Sequence, residues 1–237
     1  MRAIEVLRLK AFDEIRGANA GWLKAKHHFA IGPCGNPAHQ PIGNLIVFND
    51  GEIAPHTGFG LHHHADVEIV SCIREGVITH RDDQGNIGET HAGDVQVMSA
   101  GSGIQHSEQN EGDVSIRLFQ IWLKPAKPGG TPQWGNKPFP KADRAGIFVP
   151  LASGRKSEGA LAVRTDAEVS GALLRAGSEI VHIFRKDDAG SLVPATGQIE
   201  VNGVSVHVRE GLVIQDEERI SIKAIRDSEL VLIVTAA

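Results

Sequence analysis

Short runs of apolar and β-branched residues, each followed by turn-forming residues, repeat along most of the chain. In the first half such runs occupy residues 43–49, 68–73, 77–81, 95–99 and 114–123, and in the second half residues 211–215, 219–223 and 229–234. Runs of this length and composition predict β-strands. Strands separated by turns at intervals of roughly 8–12 residues are typical of sandwiches and barrels. No segment shows the 3.6-residue period of a long amphipathic helix.

The second half contains a hairpin signal between residues 198 and 206. Polar and apolar residues alternate on both sides of Asn202-Gly203. Asn-Gly is the dipeptide that two-residue hairpin turns prefer, because both of its positions need a positive φ. Since short strands and turns alternate in the same way in both halves, the sequence predicts an all-β duplication.

A proline-rich segment, residues 124–141, separates the two halves. Its five prolines lack a backbone N–H, which excludes a helix or an inner strand there. Trp134 and Phe139 are too apolar for a solvated tether, so we expect the segment to pack across the surface between the halves. The predicted parts are an N-terminal domain over residues 1–125, a linker over residues 126–141 and a C-terminal domain over residues 142–237.

Composition narrows the classes of function. The formal net charge is −5 over 237 residues and the 24 basic residues are scattered, so no footprint for direct nucleic-acid binding is visible. Charges interrupt the first ten residues, unlike a secretory signal, and the late apolar run over residues 230–234 is too short to span a bilayer. We therefore expect a cytoplasmic, unprocessed protein with no membrane partner. In that reducing compartment Cys34 and Cys72 are expected to be free and mostly buried thiols.

Histidines are concentrated in the first half, where ten of the twelve lie at or before residue 106. His62 and His64 are two positions apart, and side chains at that spacing on a strand point to the same face, so both imidazoles can reach one ion. His63 must then point to the opposite face. The second half has no His-x-His or His-x-Glu pair, which predicts that it binds no metal.

A second pair, His106 and Glu108, repeats the two-residue spacing downstream of Gly101 and Gly103, which allow a sharp turn before the strand. Next to the first pair in a barrel, this pair would complete a site of three imidazoles and one carboxylate. A core this large needs no ion for stability, so a bound metal would be functional. The donor set favours iron(II) first, with manganese, nickel, cobalt, copper or zinc as alternatives, and leaves one or two coordination positions open.

Two segments carry a resemblance to a known family. Residues 58–68 read Gly-Phe-Gly-Leu-His-His-His-Ala-Asp-Val-Glu and residues 98–108 read Met-Ser-Ala-Gly-Ser-Gly-Ile-Gln-His-Ser-Glu, which resembles the signature of the pirin family within the cupin superfamily. The resemblance spans nearly the whole chain. It implies a bicupin, with two stacked double-stranded β-helix (jelly-roll) barrels and a metal in the first barrel only. It also implies the same four metal ligands, His62, His64, His106 and Glu108.

The chain departs from the family pattern at one position, and the identity of the carboxylate ligand stays open. Many pirin-like proteins have proline between the first two histidines, where this chain has His63. The broader cupin pattern takes its carboxylate ligand from shortly after His-x-His, which makes Asp66 and Glu68 rivals of Glu108. The pirin pattern favours Glu108 as the ligand and Glu68 as an outer-shell or salt-bridge partner.

The resemblance implies three functions that the sequence does not separate. The first is a quercetin 2,3-dioxygenase, in which a flavonol and dioxygen use the open positions and Glu108 doubles as proton acceptor. The second is a metal-dependent regulatory protein that binds a protein partner, and the third is an isomerase or small-ligand binder. We expect the enzyme, acting as a monomer on a small aromatic substrate.

Overall fold

The computed structural model of the protein describes residues 7–237, and four β-sheets account for most of them. The first twelve strands are β1 (Leu7–Lys10), β2 (Gly17–Asn19), β3 (Leu23–His27), β4 (Leu45–Ile53), β5 (Thr57–His64), β6 (Glu68–Glu75), β7 (Val77–Asp82), β8 (Ile87–His91), β9 (Val95–Ser99), β10 (Ile104–Asn110), β11 (Ile116–Leu123) and β12 (Gln133–Lys137). Residues 1–6, part of the stretch used above to exclude a secretory signal, lie outside the described residues.

A short 3₁₀ helix, Lys141–Arg144, leads into the second half. The remaining strands are β13 (Val149–Ser153), β14 (Leu161–Ala162), β15 (Ala167–Leu174), β16 (Glu179–Ile183), β17 (Asp188–Thr196), β18 (Gln198–Val201), β19 (Val204–His207), β20 (Gly211–Ile214), β21 (Arg219–Ala224) and β22 (Ser228–Ala236). Within the described residues no helix is long and apolar enough to cross a membrane.

Each half pairs a seven-stranded sheet with a four-stranded one. The first half has the orders β12-β9-β6-β11-β4-β3-β2 and β5-β10-β7-β8, and the second half has β1-β20-β17-β22-β15-β13-β14 and β16-β21-β18-β19. The repeated pattern confirms the predicted all-β bicupin. One strand crosses over, because β1 pairs antiparallel with β20 of the second half. The domain limits inferred from the sequence remain a prediction.

The two barrels stack through their seven-stranded sheets, and alternation along β11 explains how. Phe119, Ile121 and Leu123 belong to a buried cluster that also contains residues of the second half, including Val231 and Ile233. The intervening residues of β11 face the interior of the first barrel, as successive side chains on a strand must point to opposite faces. A central strand that is buried on both faces therefore separates the shared core from the candidate site.

The proline-rich segment lies between the halves. Phe139 is buried in the shared core, while Trp134 lies on β12, which pairs with β9 at the edge of its sheet. An edge strand is compatible with nearby prolines because one side of it needs no ladder hydrogen bonds. The segment thus contributes both a strand and a core residue.

The hairpin turn and the free thiols expected from the sequence are both present. The predicted hairpin is confirmed, since β18 and β19 pair around Asn202 and Gly203, whose φ angles are 46° and 86°. Both cysteines are free, as expected. Cys72 is buried, but the expectation of burial was wrong for Cys34, which is exposed because it lies in an irregular turn rather than in a sheet.

Candidate metal centre

The candidate ligands lie on two neighbouring antiparallel strands, β5 and β10. His106 is the direct partner of His62 in this pairing, and Ile104 is the partner of His64. The register shifts between His106 and Glu108, where the ladder contains a bulge. The pairing brings the two sequence motifs together, which neither motif could specify alone.

The three histidines form one cluster. Their nearest ligand nitrogens all lie within 4.8 Å of one another, and within the described part of the chain this is the single group of three or more potential metal ligands at such spacing. The ring centroids of His62 and His106 are 4.4 Å apart, and those of His62 and His64 are 4.8 Å apart. His63 is exposed and lies against Gly103, as the alternation of the strand requires.

One imidazole of the cluster is oriented by a hydrogen bond, and another has a buried nitrogen without one. His62 Nδ1 lies 2.7 Å from the carbonyl oxygen of Gly60, and because a carbonyl only accepts, Nδ1 must carry the proton and Nε2 keeps its lone pair. His106 Nε2 is buried and has no hydrogen-bond partner. A buried nitrogen without a partner is unfavourable unless a ligand satisfies it. The donor set and this orphaned nitrogen fit a divalent transition metal.

Burial favours the neutral form of His64 and His106. Desolvation, followed by the nearby His62 and His63, lowers the pKa of His64 to about 4. Desolvation, followed by the neighbouring histidines His62, His80 and His64, lowers the pKa of His106 to about 3. Neutral imidazole is the form that binds metals. The folded chain thus holds both rings ready to coordinate at neutral pH.

Glu108 lies near the cluster but outside the group of converging ligand atoms. It is buried, and Gln96 Nε2 and Gln120 Nε2 donate to its two oxygens at 2.6 and 2.9 Å. Burial raises the pKa of Glu108 to about 7, although the two amide hydrogen bonds oppose that shift. Each carboxylate oxygen has a second lone pair, so the amides leave room for a further partner. The role of Glu108 as fourth ligand stays a prediction.

The two rival carboxylates are engaged elsewhere. Glu68 is buried and accepts hydrogen bonds from Ser99 Oγ at 2.6 Å and from the backbone N–H of Arg164 at 3.0 Å. Asp66 is exposed and accepts from the backbone N–H of Gly129. Glu68 therefore connects the two halves, and neither carboxylate belongs to the histidine group.

Sequence reasoning assigned no role to His80, which is buried next to the cluster. Its Nδ1 lies 3.5 Å from His106 Nδ1, and its Nε2 lies 2.9 Å from Asp82 Oδ2. The ring stacks on Trp134 with centroids 4.6 Å apart and an interplanar angle of 8°. The missed signal is a third pair of residues two positions apart, His80 and Asp82, at the end of the run 77–81 that the structure extends to Asp82 as β7.

A half-open, mostly apolar cavity of about 210 Å³ adjoins the centre. Trp122 lines it and makes an edge contact with His64, with ring centroids 4.9 Å apart. Gln120 lines it as well and holds Glu108. None of the candidate ligands lines this cavity itself or the three larger clefts of about 440, 420 and 280 Å³, but Trp122 and Gln120 connect the smaller cavity to the centre. The remaining residues of the smaller cavity wall are Leu23, Ala25, His27, Asn49, Gly51, Ile53, Phe59 and Leu118.

Two stacked jelly-roll barrels with converging histidines in the first barrel define the chain as a two-barrel cupin. The chain matches the family model for Pirin over residues 9–123 and the model for the quercetinase C-terminal cupin domain over residues 150–233. It is 54% identical over 225 residues to a pirin-like protein of Caulobacter vibrioides, an alignment that covers 94% of this chain and 97% of the relative. The chain belongs to the pirin family.

Two further relatives come from Escherichia coli. A quercetin 2,3-dioxygenase of strain K12 is 34% identical over 228 residues, which covers 96% of this chain and 97% of the relative. The crystal structure of the bacterial pirin YhhW in complex with nickel(II) is 33% identical, with a TM-score of 0.91 and coverage of 97% of this chain and 99% of that chain. The resemblance predicted from the two sequence motifs is confirmed.

Proposed function

We propose that this protein is a metal-dependent dioxygenase that acts on flavonols such as quercetin or on related aromatic enediols. The observation that carries the proposal is the shared wall between the cavity and the candidate centre, because Trp122 and Gln120 touch both. A substrate in this cavity would contact the two side chains that touch His64 and Glu108. The name of the E. coli K12 relative supports the same class of chemistry.

In this proposal His62, His64 and His106 bind one metal ion and Glu108 is the fourth ligand. The nickel(II) complex of the E. coli pirin supports a metal in this family, and the donor set supports iron(II) first, with manganese, nickel, cobalt, copper and zinc as alternatives. When bound, such a metal would supply Lewis acidity toward a substrate hydroxyl and a site for dioxygen activation.

Glu108 is also the proposed proton acceptor for the substrate hydroxyl. A general base is most effective when its pKa lies near the working pH, and burial raises the pKa of Glu108 to about 7. Gln96 and Gln120 fix the plane of the carboxylate, so its free lone pairs keep a constant direction. Trp122 Nε1 in turn donates to Gln120 Oε1 at 3.2 Å and holds that amide in place.

The cavity limits how a substrate would bind. Its volume is smaller than the roughly 300–1,000 Å³ of typical pockets for drug-sized ligands, so it would enclose one ring system of a flavonol and leave the remainder outside. Phe59, Leu118 and Trp122 supply flat or apolar surface that orients an aromatic ring and excludes water. A purely regulatory protein would need no such cavity, which favours the enzyme.

Oxygen uptake with quercetin tests the proposal. The metal-free protein is reconstituted in turn with iron(II), manganese(II), nickel(II), cobalt(II) and copper(II), and the rate is compared with that of the same free metal. We expect uptake with at least one metal, and its loss on adding a chelator or in His64→Ala. Rates equal to free metal for all five ions, together with a protein partner bound only by the metal-loaded form, would replace the enzyme by the regulatory alternative.

A further inference from the structure

We infer that His80 and Asp82 are positioning residues for the metal centre, which hold His106 in the single tautomer that aims Nε2 at the ion. This inference rests on the proposed role of His106 as a metal ligand. It concerns three side chains in a row, with contacts of 3.5 Å between His106 Nδ1 and His80 Nδ1 and of 2.9 Å between His80 Nε2 and Asp82 Oδ2.

The chain of contacts starts at Asp82, which is fixed on several sides. Its Oδ1 accepts from the backbone N–H groups of Gln84 and Asn86, each at 3.0 Å, and its Oδ2 accepts from Asn86 Nδ2 at 2.9 Å. Three donors that converge on one carboxylate favour its ionised form, and an ionised carboxylate only accepts hydrogen bonds. The nitrogen of His80 that faces Asp82 must therefore carry a proton.

The tautomer of His80 then determines the tautomer of His106. A neutral imidazole has one donor and one acceptor nitrogen, so once His80 Nε2 is the donor, His80 Nδ1 is the acceptor. The nitrogen opposite it, His106 Nδ1, must donate, which leaves the lone pair on His106 Nε2. That atom is the buried nitrogen without a hydrogen-bond partner, so it is the one free to bind a metal.

The side chain of His80 has little freedom to leave this arrangement. It is fully buried, and the indole of Trp134 stacks on its face. The indole is confined in turn because it packs closely against Gly88. A Cβ atom at position 88 would lie only 2.3 Å from Cη2 of Trp134. Trp134 belongs to β12 in the proline-rich segment. The segment between the halves thus supports the ring that orients a metal ligand.

Outer residues of this kind have a known effect on metal sites. In a ligating histidine, the ring nitrogen that does not bind the metal carries a proton. Carboxylates and carbonyls that accept a hydrogen bond from this N–H fix the tautomer, and their loss typically lowers metal affinity about 10- to 100-fold. Here the carboxylate acts through a second imidazole. The chain also contains an internal control, since His56 and Asp113 form a similar pair at 2.9 Å that is exposed on the surface.

Nitrogen-15 NMR of the metal-free wild-type protein tests the tautomer directly. We expect His106 to carry its proton on Nδ1 and His80 to carry its proton on Nε2. A wild-type His106 protonated on Nε2 would overturn the inference without any variant. This measurement does not depend on metal or substrate. It therefore still reports on the contacts among His106, His80 and Asp82 if the proposed enzyme function fails.

Variants then test the effect on the metal. We expect Asp82→Asn and His80→Phe to raise the dissociation constants for nickel(II) and cobalt(II) by about 10- to 100-fold and to alter the visible spectrum of the cobalt(II) form. His80→Gln retains a donor and an acceptor and should recover most of the affinity lost in His80→Phe. Asp113→Asn should change neither measurement.

The outcomes separate positioning from folding. Circular dichroism reports whether each variant is folded, and His80→Phe retains an aromatic ring against Trp134. Folded Asp82→Asn and His80→Phe proteins with wild-type affinity, cobalt spectrum and His106 tautomer would overturn the inference. If wild-type protein binds no metal while its His106 shows the expected tautomer, the proposed metal site fails and the contacts among His106, His80 and Asp82 stand as a property of the fold.

Discussion

His62 and His106 are direct partners across the antiparallel pairing of β5 and β10, and their ring centroids are 4.4 Å apart. This single register brings together motifs that lie more than forty residues apart in the sequence. A shift by one residue would turn one of the two rings to the opposite face. The candidate centre therefore depends on strand pairing as much as on the residues themselves.

Replacing either partner should empty the centre without unfolding the protein. We expect His62→Ala and His106→Ala to lose nearly all bound metal, because each removes one of three converging imidazoles, while the large core keeps the fold. Elemental analysis and circular dichroism measure the two effects. His63→Ala is the matched control and should bind one metal per chain, since His63 faces away. Full metal content in either of the first two variants would remove that residue from the ligand set.

The pH dependence of metal affinity should reveal whether Glu108 is a ligand. Coordination requires the ionised carboxylate, and burial raises the pKa of Glu108 to about 7, so protons compete with the metal below that pH. The apparent affinity should fall by at least about tenfold per pH unit between roughly pH 7 and pH 5. His64 and His106 compete only at lower pH, because their pKa values are lowered to about 4 and about 3.

Competition titration with cobalt(II) at several pH values measures this slope. Glu108→Gln should bind the metal more weakly at pH 8 and lose affinity less steeply than wild type between pH 7 and pH 5. Glu68→Gln serves as the control and should keep the wild-type profile, because Glu68 bonds to Ser99 and Arg164 instead. An unchanged slope in Glu108→Gln would exclude Glu108 from the ligands.

Without metal, the same carboxylate should destabilise the fold above neutral pH. Because the pKa of Glu108 is raised from 4.5 to about 7, the folded state binds more protons than the unfolded state between these values. The free energy of unfolding should therefore fall as the pH rises through this window, with the full cost present above pH 7. In chelator, Glu108→Gln should be more stable than wild type at pH 8, by up to about 3 kcal/mol.

Urea unfolding at pH 8 and at pH 4.5 checks this sign. The stability difference between the two proteins should nearly vanish at the lower pH, where the folded wild type carries a neutral Glu108. The lowered pKa values of His64 and His106 act in both proteins and cancel from the difference. A variant less stable than wild type at pH 8 would contradict the expectation.

An ion pair between the halves should contribute strongly to stability. The carboxylate of Asp50 is buried and bonds to Arg209 of the second half, while Arg74 lies 3.4 Å away. Removing one partner of a buried pair leaves an uncompensated charge and costs about 3–5 kcal/mol. Since Arg209 is 39% exposed, we expect Asp50→Ala to lower the free energy of unfolding by the smaller amount of about 2–3 kcal/mol.

Glu52→Ala provides a matched comparison on the same strand. Glu52 also contacts two cations, Lys24 and Arg117, but both are largely exposed, and such pairs contribute at most about 1 kcal/mol. Urea unfolding of both variants at one pH distinguishes the two environments. Equal losses of unfolding free energy in Asp50→Ala and Glu52→Ala would mean that the ion pair between the halves stabilises the protein no more than an exposed pair does.

Period-two patterns predicted the site because they are local. The two-residue spacing on β5 predicted that His62 and His64 share one face of the strand, and the structure groups them. Strand pairing is not local, so the sequence did not indicate that β7 lies next to β10 and brings His80 against His106. For the same reason it did not indicate that β1 joins the second sheet.

The crossing of β1 has a consequence for how the chain is made. Leu7–Lys10 are synthesised about 200 residues before their partner, Gly211–Ile214. At roughly 5–20 residues per second, the partner follows about 10–40 seconds later. The strands of the first barrel can therefore pair before β1 has a partner, and β1 can join its sheet only after β20 has been synthesised.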